Sequence, residues 1–252
     1  MTADRWTQAV RNQLGLGRLL PLGGPHDGAW LTEAAATAVL RHAARDVPGV
    51  RLTAVRLSLT DPDSAPEPAV PPPPSALPPG PLRITADFAA TPAEPLPATA
   101  SLLRTALATA ATDRLGLTVT EVDLRVTGLL EEGADTADED ESDGRPGDPD
   151  LRLDADESRV AAAVRSVPGV TRLGAVHIAA RPGTVSLPRR HVRVEFETGA
   201  SVRTLDVARA VRTRVTEALP DHPSVAALVT AVTQGTLGAR GCDIVRLRRG
   251  AH

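Results

Sequence analysis

Alternating apolar and polar residues mark the strands of this chain. From Leu82 to Phe88 every second residue is apolar and the intervening residues are polar. Successive side chains of a strand point to opposite faces, so this pattern predicts a strand with one buried face. Val122, Leu124 and Val126 predict the same for the strand at 122–126. Further strands are predicted at 55–59, 176–178, 192–196 and 225–232, with one more near 244–247.

Helices are predicted where apolar residues recur at steps of three and four. Thr32 can cap a helix of this kind that ends at Val47, where a Pro-Gly pair follows. Asp154 and Glu157 have the spacing of a capping box at the start of another helix. Further helices are predicted at 6–14, at 99–115 and around Val207, Val211 and Val215. The glycine-rich stretch 15–24 lacks phosphate-loop spacing and predicts a structural turn.

The order helix, strand, strand, helix, strand is read twice along the chain. The tetrapeptide Val-Pro-Gly-Val at 47–50 recurs at 167–170, and Phe88 and Phe196 take equivalent places. This repetition predicts an α+β fold of two tandem α-β-β-α-β lobes, each a small, mainly antiparallel sheet backed by helices. The first lobe is assigned to residues 1–130 and the second to residues 151–252.

Two segments interrupt the lobes. Residues 61–81 contain ten prolines, which predicts an extended, exposed, polyproline-like loop. Residues 131–150 carry ten acids and one Arg, and predict a disordered linker because like charges repel and there is little to bury. Counting Arg against acids gives 11 − 12 = −1 for residues 1–130, 1 − 10 = −9 for the linker and 16 − 9 = +7 for the remainder.

Composition excludes several classes of function. The single Cys rules out a disulfide framework, and the six histidines lack metal-ligand spacing. Neither a signal peptide nor an apolar run long enough for a membrane span is recognisable, so a cytoplasmic protein is expected. We also expect no enzyme activity, no cofactor and no metal site, since no nucleophile elbow occurs. All 28 basic residues are Arg, which indicates a GC-rich genome of the actinobacterial kind.

The first lobe resembles the alkaline-shock, general-stress family of small bacterial proteins. The resemblance covers about residues 28–60 and 82–130, and the second lobe, with Pro220-Asp-His-Pro223 in place of the Gly-Leu turn, is a weaker relative. The residues that carry it are Gly28, Leu31, Val39, Ala43, residues 47–50, residues 115–119, Val122, Leu124, Val126, Gly128 and Leu129. The resemblance implies a non-enzymatic scaffold or interaction protein linked to envelope or general stress. It also implies a protein partner, in some members membrane-anchored, that would hold the protein peripherally at the membrane.

Two further interactions are expected from the residues themselves. Exposed sheet edges would allow homo-oligomers. The alternative function is nonspecific binding of nucleic acid or an acidic membrane surface by the basic second lobe, with the acidic linker competing for the same arginines. The candidate anion-binding residues are Arg189, Arg190, Arg193, Arg203, Arg209, Arg212, Arg246, Arg248 and Arg249.

Overall fold

A computed structural model describes residues 16–130, 154–181 and 189–234 of the chain. The helix predicted at 6–14, the acidic linker at 131–150 and the strand predicted near 244–247 lie outside these residues. The described part has the predicted α+β fold.

The element order helix, strand, strand, helix, strand occurs twice. The first set comprises α1 (Glu33–Arg45), β3 (Val50–Leu59), β4 (Leu82–Ala90), α2 (Leu96–Thr109) with a π-helical turn (Ala110–Leu115), and β5 (Val119–Leu129). The second comprises α3 (Ala155–Arg165), β6 (Val170–Arg181), β7 (Arg189–Gly199), α4 (Thr204–Ala218) and β8 (Ser224–Thr233). Two strands precede both sets, β1 (Leu19–Leu22) and β2 (Ala29–Thr32).

Each set contributes three strands paired in the same way. β3 is antiparallel to β4, and β5 is parallel to β4 because α2 carries the chain back across the sheet. β6, β7 and β8 pair identically, with α4 as the crossover. Registers match as well: Phe88 pairs with Val126 and Phe196 with Val229, and a register shift follows each pair. Both sheets are therefore mixed.

The first two strands depart from the sequence prediction. β1 and β2 form an antiparallel hairpin, and β2 runs parallel to β8, which gives a sheet of order β1-β2-β8-β7-β6. Residues assigned to the first lobe thus complete the sheet of the second. All eight residues of the hairpin strands are buried, so no alternation marks them, and short continuous apolar runs are ambiguous by periodicity.

One hydrophobic cluster runs through both halves of the molecule. It includes Leu40 of α1, Phe88 and Leu107 from the first set, and Phe196 and Val211 from the second. The predicted boundaries between lobes therefore do not separate two independent cores.

The proline-rich loop is less exposed than predicted. Val70 is buried in a second cluster beside Trp30, and the loop pairs with β1 through backbone bonds. The Leu19 amide donates to the Ser75 carbonyl at 3.1 Å, and the Leu77 amide donates to the Leu19 carbonyl at 2.8 Å. These donors and acceptors come from non-proline residues of the loop and from β1, so ten prolines do not prevent the loop from packing.

Candidate interaction surface

Arg190 lies between two carboxylates. Its guanidinium donates to Asp156 and Asp221, each at 2.5 Å. Asp156 begins α3 and Asp221 precedes β8, so the contact joins two elements to β7. The hydrogen bond from Arg190 is the main reason that the pKa of Asp221 lies below its ordinary value, although burial opposes it. Arg190 is therefore already occupied by internal anions.

Arg209 and Arg212 of α4 hold the turn of the β1-β2 hairpin. Arg209 makes a bidentate pair with Asp27, with distances of 2.7 and 3.0 Å. Arg212 donates to the backbone carbonyls of His26, Asp27 and Val225. Burial raises the pKa of Asp27, but hydrogen bonds from Arg209 and from the Gly24 amide outweigh it and leave that pKa lowered.

The remaining candidate arginines do not complete an open cationic patch in the described structure. Arg203 donates to the Thr112 carbonyl at 3.2 Å. Arg193 lies 3.7 Å from Glu195, and its Nε is buried without a hydrogen bond. Arg246, Arg248 and Arg249 and the side chain of Arg189 lie outside the described residues. The arginines predicted to bind external anions thus make internal contacts wherever their side chains are described. The prediction of a free basic face was wrong for these residues.

Strand β5 presents an open edge. Among the described strands it pairs only with β4, and none of its eleven residues is buried. Val122 and Leu124 pack partly against the core, as predicted, but Val126 is 41% exposed and Leu129 is 69% exposed. The prediction of a buried face was wrong at Val126. Helix α2 contacts the first half of the strand, where Arg104 donates to the Val122 carbonyl at 3.2 Å.

The equivalent edge in the other sheet is covered. Val229 of β8 occupies the register position of Val126. It pairs with Phe196 as Val126 pairs with Phe88, yet Val229 is fully buried. β8 pairs with strand β2, in which Leu31 lies opposite Val229 and Ala29 opposite Ala227, and β8 also contacts α1 and α4. The same strand edge therefore appears twice in this molecule, once occupied by a parallel strand and once open.

Ion pairs organise the polar face of the open sheet. Arg125 of β5 makes two hydrogen bonds to Asp87 of β4, at 2.9 and 2.7 Å. Arg83 of β4 donates to Glu121 at 2.6 Å. Exposed pairs of this kind are individually weak, but together they favour one register for β5 without a partner.

Other site types find little support in the described residues. They contain no group of three or more His, Cys, Asp or Glu side chains placed to hold a metal ion. None of the described helices has the length and apolar character needed to cross a bilayer. Comparison with known proteins finds neither a matching family nor a significantly similar curated protein. Function is therefore inferred from the chain's own residues.

Proposed function

We propose that this protein is a non-catalytic interaction protein that binds a partner protein through the open edge of β5. The observation that supports this is the contrast between the two sheets. β8 is covered by β2, whereas β5 at the same position in its sheet has no second neighbour among the described strands and exposes Val126 and Leu129. Unpaired edges of this kind accept an additional strand.

The pairing of β2 with β8 indicates what kind of partner segment would bind β5. β2 runs parallel to β8, and Val229, which lies beside it, is buried. A partner segment bound in the same manner would be extended, parallel to β5 and apolar at the positions beside Val126. Backbone hydrogen bonds of about 0.5–1.5 kcal/mol each would supply much of the affinity, and the apolar contacts would supply the specificity.

The cellular setting of the proposal comes from the resemblance to alkaline-shock proteins. With that resemblance we extend the proposal to a cytoplasmic protein that an anchored partner holds peripherally at the membrane, with a role in envelope or general stress. The same β5 edge could receive a second copy of the chain, which would make the protein a homo-oligomer. Partner capture and a mass measurement distinguish these two occupants.

The test compares two lysine substitutions. Val126→Lys places a charge at the open edge, whereas Val202→Lys places one at an equally exposed valine, 40% exposed, between β7 and α4. Full burial of a valine is worth about 1.5–3 kcal/mol, and covering the exposed share of Val126 would contribute about 1 kcal/mol. Because a buried lysine adds a desolvation cost, Val126→Lys should weaken partner binding by at least about tenfold.

The measurement is crosslinking and pull-down from the native cell, followed by titration of the recovered partner. Val202→Lys should bind like the wild-type chain, and both variants should show similar denaturation midpoints. The proposal fails if the wild-type chain recovers no partner under stress, or if both variants bind the recovered partner as well as the wild type does.

A further inference from the structure

An open groove with a cationic lining lies beside α1, away from the β5 edge. It has a volume of about 810 Å³. Its charged and polar lining residues are Arg18, Glu33, Thr37, Arg41, His42, Arg45, Arg56 and Gln234. These side chains come from the start of β1, the outer face of α1, β3 and the end of β8. We call this feature the arginine groove.

The lining of the arginine groove is not charge-balanced. Four arginines and one glutamate line it, a net charge of 4 − 1 = +3 with His42 neutral. Glu33 has internal partners already, since it accepts from the Leu57 amide at 3.3 Å and pairs with Arg18 at 3.5 Å. The side chains of Arg41 and Arg56 make no hydrogen bond or ion pair with another described residue. They differ in this respect from Arg190 and Arg209, which are neutralised by aspartates.

The shape of the groove allows a ligand to approach the arginines closely. Ala34, Thr37 and Ala38 lie along α1 between Glu33 and Arg41, and their small side chains leave space above the helix. Arg41 and Arg45 are four residues apart, so they lie one above the other on one helix face, separated by a rise of about 6 Å. Of these two, Arg45 already has an internal interaction, whereas the Arg41 guanidinium has no partner among the described residues.

The lining chemistry selects phosphate. Guanidinium groups bind phosphate oxygens in a bidentate manner, and arginine is the preferred residue for this task. Among the described residues that line the groove none is Trp, Tyr or Phe, so recognition there depends chiefly on guanidinium groups. The volume falls within the range of about 300–1,000 Å³ that is typical of small-ligand sites.

We propose that the arginine groove is a binding site for a small ligand that carries two or more phosphate groups. Arg41 of α1 and Arg56 of β3 provide the principal contacts. Arg45 and Arg18 add to the positive potential. This site is independent of the partner-binding edge on β5, and either can exist without the other.

The test is calorimetric titration of the full chain with inorganic tripolyphosphate at physiological ionic strength. Arg41→Gln and Arg56→Gln should each weaken binding by at least about tenfold, the effect of about 1.4 kcal/mol. Arg214→Gln is the matched control, because it removes one charge from an exposed helical arginine of α4 outside the groove. Its affinity for tripolyphosphate should equal that of the wild type.

Two further measurements distinguish a specific binding site from nonspecific electrostatic attraction. Arg41→Lys keeps the charge but loses the fork of donors, so it should recover only part of the affinity. Sulfate at the same ionic strength should bind at least about tenfold more weakly than tripolyphosphate, because it offers one anionic group instead of three. The proposal is overturned if the wild-type chain does not bind tripolyphosphate, if Arg214→Gln weakens binding as much as the groove variants do, or if sulfate binds equally well.

Discussion

Gly116 occupies a point where three parts of the chain meet. It follows the π-helical turn with a φ of +87°, and a Cβ there would lie 2.4 Å from the Cβ of Leu205 at the start of α4. The same Cβ would lie 3.3 Å from the Nε of Arg203. The Gly116 carbonyl also accepts a hydrogen bond from the Gly23 amide at 3.2 Å. We therefore expect Gly116→Ala to disturb the contact between the first and second sets of elements.

Gly116→Ala should lower the free energy of unfolding for two reasons. A left-handed backbone conformation costs an L-residue about 1–2 kcal/mol. Close contact adds to this because both atoms are Cβ atoms fixed to the backbone, so no side-chain rotation relieves it and α4 has to shift. Overpacking of this kind costs about 1–3 kcal/mol. Together they predict a loss of about 2–5 kcal/mol in the free energy of unfolding.

Gly17→Ala serves as the control that separates these two contributions. Gly17 has a similar φ of +63°, but no atom of the described residues lies within 4 Å of the Cβ it would gain. Urea denaturation followed by circular dichroism should give a loss of about 1–2 kcal/mol for Gly17→Ala and a clearly larger one for Gly116→Ala. Equal losses for the two variants would show that the approach of Gly116 to Leu205 does not limit packing, and the reasoning would be refuted.

Two ion-pair predictions follow from the same structure. Asp27→Asn should lower stability by about 1–2 kcal/mol at neutral pH, because Arg209 loses a charged partner. The folded pKa of Asp27 is lowered from 3.8, so the stabilisation by its carboxylate is complete above about pH 3.8 and is lost as pH falls through the folded pKa. If the difference in stability between the wild type and Asp27→Asn stayed constant on acidification, it would contradict this prediction. Arg190→Gln should cost about 1 kcal/mol, because Asp156 and Asp221 would lose the cation that they share, although solvent screens these partly exposed pairs. NMR titration should also show the pKa of Asp221 rising toward its ordinary value, and an unchanged titration would count against the pairing.

Features that depend on a few neighbouring residues were predictable. The cap at Thr32 is present, with its hydroxyl accepting from the Ala35 amide at 3.3 Å. The capping box of Asp154 and Glu157 has both of its hydrogen bonds, at 2.8 and 3.1 Å. Caps, helical periodicity and strand alternation are decided within a few residues, so they can be read directly along the chain.

Features of the candidate sites were harder to predict from the sequence, because they depend on residues that are distant along the chain. Arg209 was predicted to seek external anions, but it pairs with Asp27, which is 182 residues away. The arginine groove was not predicted, since its arginines come from three separate segments and share no local motif. Only the folded chain shows which arginines are neutralised and which are not.

The sequence by itself determined the α+β class, the repeated element order and the residues that cap and end the helices. Local sterics and the apolar period of each segment are sufficient for these. Tertiary structure alone decided that β2 is the segment that covers β8. The apolar run at 225–229 and the charged alternation of β5 fit a covered and an open strand, but neither strand's own residues identify the distant segment that pairs with it.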